Sequence, residues 1–163
     1  MLPGWMTAAS DFGLGAFNSP KGFGLSFCAD RDDRTKEIVE VYADMYSVLS
    51  GRHGNPGIKS DYCHAIVIES RPTDWGRWEI YAGPGASLGW VRDNGCDNFG
   101  AMVALHGAAG FRMAFDRGIG IDIGFGADLG IHLENSNEKV YLKIYRNGLY
   151  RLPYPQLTIS YRF

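Results

Sequence analysis

The chain has no apolar run long enough to cross a bilayer as a helix. The longest stretch free of Asp, Glu, Lys and Arg runs from Asn98 to Phe111 and contains His106, short of the roughly 18 residues that a spanning helix needs. It has no charge bias either: 16 Lys+Arg stand against 18 Asp+Glu, which argues against a polyanionic partner and excludes nucleic acid from the expected ligands. The first ten residues, MLPGWMTAAS, carry neither the basic region nor the long apolar segment of a secretory signal. If the chain is exported, this start is a processed or trimmed one. Cysteine is scarce and odd in number, and none of Cys28, Cys63 and Cys96 lies in a C-x-x-C or other metal-ligand spacing. No metal or cofactor is therefore expected. A Cys63 to Cys96 disulfide would need both residues at one rim, and free thiols are the simpler reading.

What the chain does have is glycine beside large rings: 22 Gly with 9 Phe, 9 Tyr and 4 Trp. Glycine weakens helices and ordinary strands, so this pairing implies bare backbone packed against aromatic side chains. The pattern that organises it is period two, because successive side chains of a strand point to opposite faces. From Gly118 to Glu134 the odd positions Ile119, Ile121, Ile123, Phe125, Ala127, Leu129, Ile131 and Leu133 are all apolar. The even positions are glycine, Asp122, Asp128, His132 and Glu134. Arg77 to Val91 repeats this on even positions, with Trp78 and Trp90 at the two ends of the apolar face. Twelve residues apart, these rings are separated by about 40 Å of strand, or about 30 Å along a membrane normal for a tilt near 40°. That spacing suits aromatic belts at the two edges of a hydrocarbon slab, with Tyr161 and Phe163 joining them. Pro84 cannot donate to a strand ladder and is expected to mark a bulge.

The remaining strands follow from the same alternation. Asn18 to Gly22 turns a first hairpin, Ala101 to Phe115 gives another strand, and Pro155 to Phe163 alternates to the last residue. Glu37 to Leu49 reads two ways. Ile38, Val41, Tyr42, Met45, Val48 and Leu49 fit a helical stripe with Thr35 as cap and Gly51 as stop. A strand would instead turn Glu40, Tyr42, Asp44 and Tyr46 inward, and barrel closure favours it. The expected strands lie near 6–17, 22–30, 37–50, 60–70, 77–91, 101–115, 119–134 and 152–163. Together they predict an all-β, antiparallel, up-and-down transmembrane β-barrel of about eight strands in a single domain, 1–163. Short turns at 30–36, 72–76 and 116–118 would face the periplasm, and 52–58, 92–99 and 135–151 the outside. The last of these carries Val140, Tyr141, Ile144 and Tyr145, suited to a strand extension above the membrane.

The orientation follows from the polar face. A soluble barrel hides its apolar face, and here that would leave glycines as the exterior of Gly118 to Glu134, with little to solvate it. Turned the other way, small glycines fit a narrow interior, the acids find partners there, and rings and branched chains meet lipid.

The closing run YPQLTISYRF resembles the assembly signal of outer-membrane barrels, a terminal Phe with apolar residues at alternate positions: Leu157, Ile159, Tyr161 and Phe163. YADMYSVLSG from Tyr42, PGIK from Pro56, YAGPGASLGWVRD from Tyr81 and the segment from Tyr145 to Phe163 resemble a family of small outer-membrane barrels from Bacteroides and its relatives. The resemblance spans most of residues 40–163 and brings no established activity. It implies the strand reading of Glu37 to Leu49 and the outer membrane of a Gram-negative bacterium as location. Partners would be outer-membrane lipid, lipopolysaccharide and, through the last strand, the barrel assembly machinery.

The expected interior network is Glu40, Asp44, Glu79, Tyr81, His106, Arg112, Asp122, Asp128 and Arg162, with Tyr42 and Tyr46 nearby. Buried charges pair because unpaired ones are costly, so none of these is read as catalytic. His132, Glu134 and Ser136 invite comparison with outer-membrane lipid A deacylases, whose motif is His-x-Ser-Asn. Here the sequence is His132-Leu133-Glu134-Asn135, and the nucleophile is missing. The leading expectation is a barrel filled by its own side chains, with outer loops for interaction. A lipid-modifying enzyme, a narrow passage for small apolar molecules and a soluble ligand-binding barrel are the alternatives.

Overall fold

The computed structural model describes residues 12–49, 51, 55–136, 139–147 and 153–163. The expected start of the first strand at residue 6 lies outside the described residues, as do 52–54 of the 52–58 loop and 137–138 and 148–151 of the 135–151 connection. Among the described residues nine strands are present: β1 (Phe12–Ser19), β2 (Gly22–Asp30), β3 (Thr35–Asp44), β4 (Gly57–Thr73), β5 (Gly76–Val91), β6 (Gly100–Phe115), β7 (Ile119–Ser136), β8 (Lys139–Ile144) and β9 (Tyr154–Arg162), with a helical turn, α1 (Tyr46–Leu49), after β3. Each strand from β1 to β7 pairs antiparallel with the next, β7 pairs with β9, and β9 returns to β1. The result is a closed, up-and-down, eight-stranded antiparallel barrel, as the alternation predicts.

Closure is made by the last residues. Gly13 to Asn18 pair with Arg162 to Leu157, and Ile119 to Gly126 pair with Tyr161 to Tyr154. Phe163 N donates to Phe12 O at 2.9 Å, and Arg162 N donates to Gly118 O at 2.8 Å. The turn before β7 is tight, and Gly118 takes φ 84°, a conformation that suits glycine. No helix among the described residues is long and apolar enough to cross a membrane.

The two faces separate as the orientation argument requires. Ile119, Ile123, Phe125, Leu129 and Ile131 are exposed on the outside, whereas Asp128, His132 and Glu134 are buried inside. On β5, Leu88 and Trp90 face out while Glu79, Tyr81 and Ser87 face in. Interior glycines make room for rings: a Cβ on Gly110 would lie 2.6 Å from Tyr81 Oη, and one on Gly126 would lie 2.5 Å from Tyr154 Cζ.

Three expectations are corrected. Strand β3 ends at Asp44, and Tyr46 to Leu49 form a helical turn in which Asp44 Oδ1 accepts from Tyr46 N at 2.9 Å, so each reading of Glu37 to Leu49 describes one part of it. Strand β4 runs on at both ends, taking in Ile58 and Pro72 that were assigned to loops. The register shift falls between Val67 and Glu69 on β4, not at Pro84, which sits opposite Gly107 of β6. The strand extension expected from Val140, Tyr141 and Ile144 is present: the last connection contains β8, which pairs with the end of β7 from Ile131 to Ser136 and continues the row of β9 beyond the barrel wall.

Strand length grows from 9 residues in β2 and 10 in β3 to 18 in β7, so the wall is lower at β2 and β3 than at β7.

Candidate functional site: the polar interior and the outer clasp

The interior is crossed at mid-height by one layer to which every wall strand except β2 contributes. Phe17 (β1), Tyr42 (β3), Lys59 and Asp61 (β4), Ser87 (β5), His106 (β6), Asp128 (β7) and Tyr154 (β9) are all buried, with Lys21 folding in from the β1–β2 turn. Asp128 is the hub. Its Oδ2 receives Lys21 Nζ at 2.8 Å and Lys59 Nζ at 2.6 Å, and its Oδ1 receives His106 Nδ1 at 2.7 Å. Asp61 is held by Lys59 Nζ at 3.0 Å, by the Tyr42 hydroxyl at 2.8 Å and by a short bond from Ser87 Oγ. The Lys21 ammonium lies 3.7 Å above the Tyr154 ring centroid, and Phe17 packs on Tyr42 with ring centroids 4.9 Å apart. Two ammonium groups meet two carboxylates, so the layer is neutral without any further ion.

Toward the end that carries the short turns lies a second layer. Lys36 Nζ bridges Asp30 at 2.9 Å and Glu79 at 2.7 Å. Tyr81 donates to Asp122 Oδ1 at 2.8 Å, and Arg112 Nη1 donates to Cys28 Sγ at 2.9 Å. Arg162 Nη2 reaches Asp30 at 3.6 Å. Glu40 lines two small voids of about 20 Å³ and 10 Å³ between the layers, room for one water or two. Asp44 sits above the middle layer, at the end of β3.

All nine residues predicted for the interior network therefore lie on inward positions. Four partners escaped prediction. Lys59 and Asp61 share parity with Cys63 and could have been read from it. Lys36 was assigned to a turn, and Lys21 sits in a turn, where alternation says nothing. Of the belt residues, Trp90, Tyr161 and Phe163 are exposed, and Trp78 is partly covered by Phe111, whose ring centroid is 5.8 Å away.

Asp61, His106 and Asp128 offer ligand atoms within 4.8 Å of one another, a spacing that a metal ion could use. Lys21 and Lys59 already occupy both carboxylates and are themselves fully buried, so a cation would meet two ammonium groups with nowhere to go. The donor set does not fit a metal.

Beyond the barrel wall the 92–99 loop is clasped to β7 and β8. Glu134 Oε1 accepts from Asp97 N at 2.7 Å and Asn98 N at 3.0 Å, and Glu134 Oε2 accepts from Lys143 Nζ at 2.6 Å. Cys96 Sγ lies 3.6 Å from His132 Nδ1 and 3.7 Å from Lys143 Nζ. His132 Nε2 donates to Val91 O at 3.0 Å, which fixes the ring. Burial, and next the Glu134 charge, push the Cys96 thiol above its usual range, so it rests protonated. Asp93 accepts from Arg146 N at 2.7 Å and Asn147 N at 2.8 Å, tying the segment after β8 to the same loop.

His132 thus faces a thiol, not a serine, and the side chain of Ser136 lies outside the described residues. The cysteines are free: Cys63 is buried between β4 and β5 in the barrel and Cys96 sits in the outer loop, which rules out the rim disulfide. No family model, curated protein or solved structure matches the chain, and its function has to be read from this geometry.

Proposed function

We propose that this chain is an outer-membrane β-barrel of a Gram-negative bacterium, closed to solutes at mid-height, that offers its outer loops as an interaction surface. The observation that carries the reading is the coat of exposed apolar side chains on every wall strand. It includes Phe12 and Leu14 on β1, Phe23 and Leu25 on β2, Val41 on β3, Ile66 on β4, Leu88 and Trp90 on β5, Leu105 on β6, Ile123 and Phe125 on β7, and Leu157 and Ile159 on β9. A soluble monomer rarely exposes a contiguous apolar patch above a few hundred Å². Around a cylinder with charged groups inside, such a coat suits lipid. The neutral layer at Asp128 supports closure, since charged side chains from opposite walls meet at its centre. Outer-membrane lipid and lipopolysaccharide are then its surroundings, and the last strand, with Phe163, is what the assembly machinery would read.

The test is reconstitution. The purified protein should need detergent, float with phospholipid vesicles, and migrate on an unheated detergent gel differently from the heated sample. In a planar bilayer it should give no large, stable open channel. A protein that stays monomeric and soluble without detergent would remove the membrane reading, and steady high conductance would remove the closed interior.

A further inference from the structure

We propose that Cys96, His132 and Glu134 form a binding site for a borderline-soft divalent cation, Zn²⁺ above all, and that the Lys143 ammonium holds the cation's place in its absence. The site lies in the outer clasp and does not depend on how the barrel wall is used.

Thiolate, imidazole and carboxylate are the side-chain donors that Zn²⁺ takes. Two of the three donors are already spaced for it. With Zn–S near 2.3 Å and Zn–N near 2.0–2.1 Å, a tetrahedral angle puts sulfur and nitrogen roughly 3.6 Å apart. Cys96 Sγ and His132 Nδ1 are 3.6 Å apart. The ring also carries its proton on the other nitrogen. Val91 O can only accept, so His132 Nε2, 3.0 Å away, is the donor, and the Nδ1 lone pair faces the sulfur. Metal-binding histidines are oriented by such an outer hydrogen bond.

The third observation is the ammonium. Lys143 Nζ touches both acidic donors at once, Glu134 Oε2 at 2.6 Å and Cys96 Sγ at 3.7 Å, so a cation already bridges these two. Its side chain is 40% exposed and can swing to water. Cys96, His132 and Glu134 are buried, and Glu134 Oε1 stays anchored by Asp97 N and Asn98 N while Oε2 changes partner. This is what separates the clasp from the Asp61, His106 and Asp128 cluster, whose lysines cannot leave. On binding, the Cys96 thiol releases its proton to solvent, Lys143 withdraws, and water fills the fourth position.

The experiment is a Co²⁺ titration of the full chain in detergent, read by the sulfur-to-cobalt charge-transfer band, with Zn²⁺ as competitor. One equivalent should bind and Zn²⁺ should displace it. Cys96→Ser should abolish the band, and His132→Ala should weaken binding about tenfold or more, as loss of a ligand or its orienting partner does. Lys143→Met removes the resident cation without touching a ligand and should tighten binding about tenfold; this exposed position keeps the test valid even if His132→Ala does not fold. A wild-type protein without the band, a band that survives Cys96→Ser, or unchanged or weaker binding in Lys143→Met would each overturn the proposal.

Discussion

Asp128 answers to four donors, Lys21, Lys59, His106 and Ser87, and because two of them are ammonium groups the consequence is sharp dependence on charge count. Asp128→Asn keeps the shape but leaves Lys21 and Lys59 facing Asp61 alone. An uncompensated buried charge costs about 3–5 kcal/mol, which should appear as a lower urea midpoint for unfolding from lipid. Adding Lys21→Met restores the balance, so the double variant should lie well above the sum of the single losses. Gly126 tests the steric side of the same layer. A methyl there would meet Tyr154, which is pinned beneath Lys21, and Gly126→Ala should cost about 1–3 kcal/mol in the same assay. Which acids face inward was legible, because the parity of Asp122 and Asp128 against the isoleucines leaves them no other side. Which cation each acid meets was not. Lys21 comes from a turn and is 107 residues from its partner in sequence, a contact that only closure of the cylinder creates.

Among the elements, alternation was readable wherever one face must be apolar and the other polar, and so β5, β6, β7 and β9 could be placed closely. It failed where that demand lapses. Strand β8 exposes Val140, Tyr141, Leu142 and Ile144 on both faces, so no two-sided pattern is imposed on it. The segment after Asp44 leaves the wall and is free to form a helical turn. The bulge after Val67 is invisible because an extra residue changes register without changing composition. The demand itself can be tested at Leu105, which is 72% exposed on β6. In water an exposed substitution of this kind is worth no more than about 0.5 kcal/mol either way. In a bilayer Leu105→Arg should cost about 2–4 kcal/mol near the midplane, measured by the denaturant midpoint in lipid vesicles, whereas the same change at exposed Leu49 in α1 should cost little.

At the scale of the whole molecule the uneven wall has an effect on its surroundings. The 9 residues of β2 reach about 23 Å along the barrel axis at the usual tilt, a little less than the apolar band of about 25 Å that membrane barrels present elsewhere. In a bilayer, lipid tails beside β2 would therefore shorten or splay, while those beside β6 and β7 would not, so the leaflets around the protein should be dimpled on one flank only. Vesicles of short-chain phosphatidylcholine should accept the barrel faster and in higher yield than long-chain ones, and an equal yield in both would show that the dimple costs nothing. A molecule with one thin flank would carry a preferred azimuth into a membrane: neighbours that also thin the bilayer would gather on the β2 side, which gives a barrel without rotational symmetry a direction in which to find company.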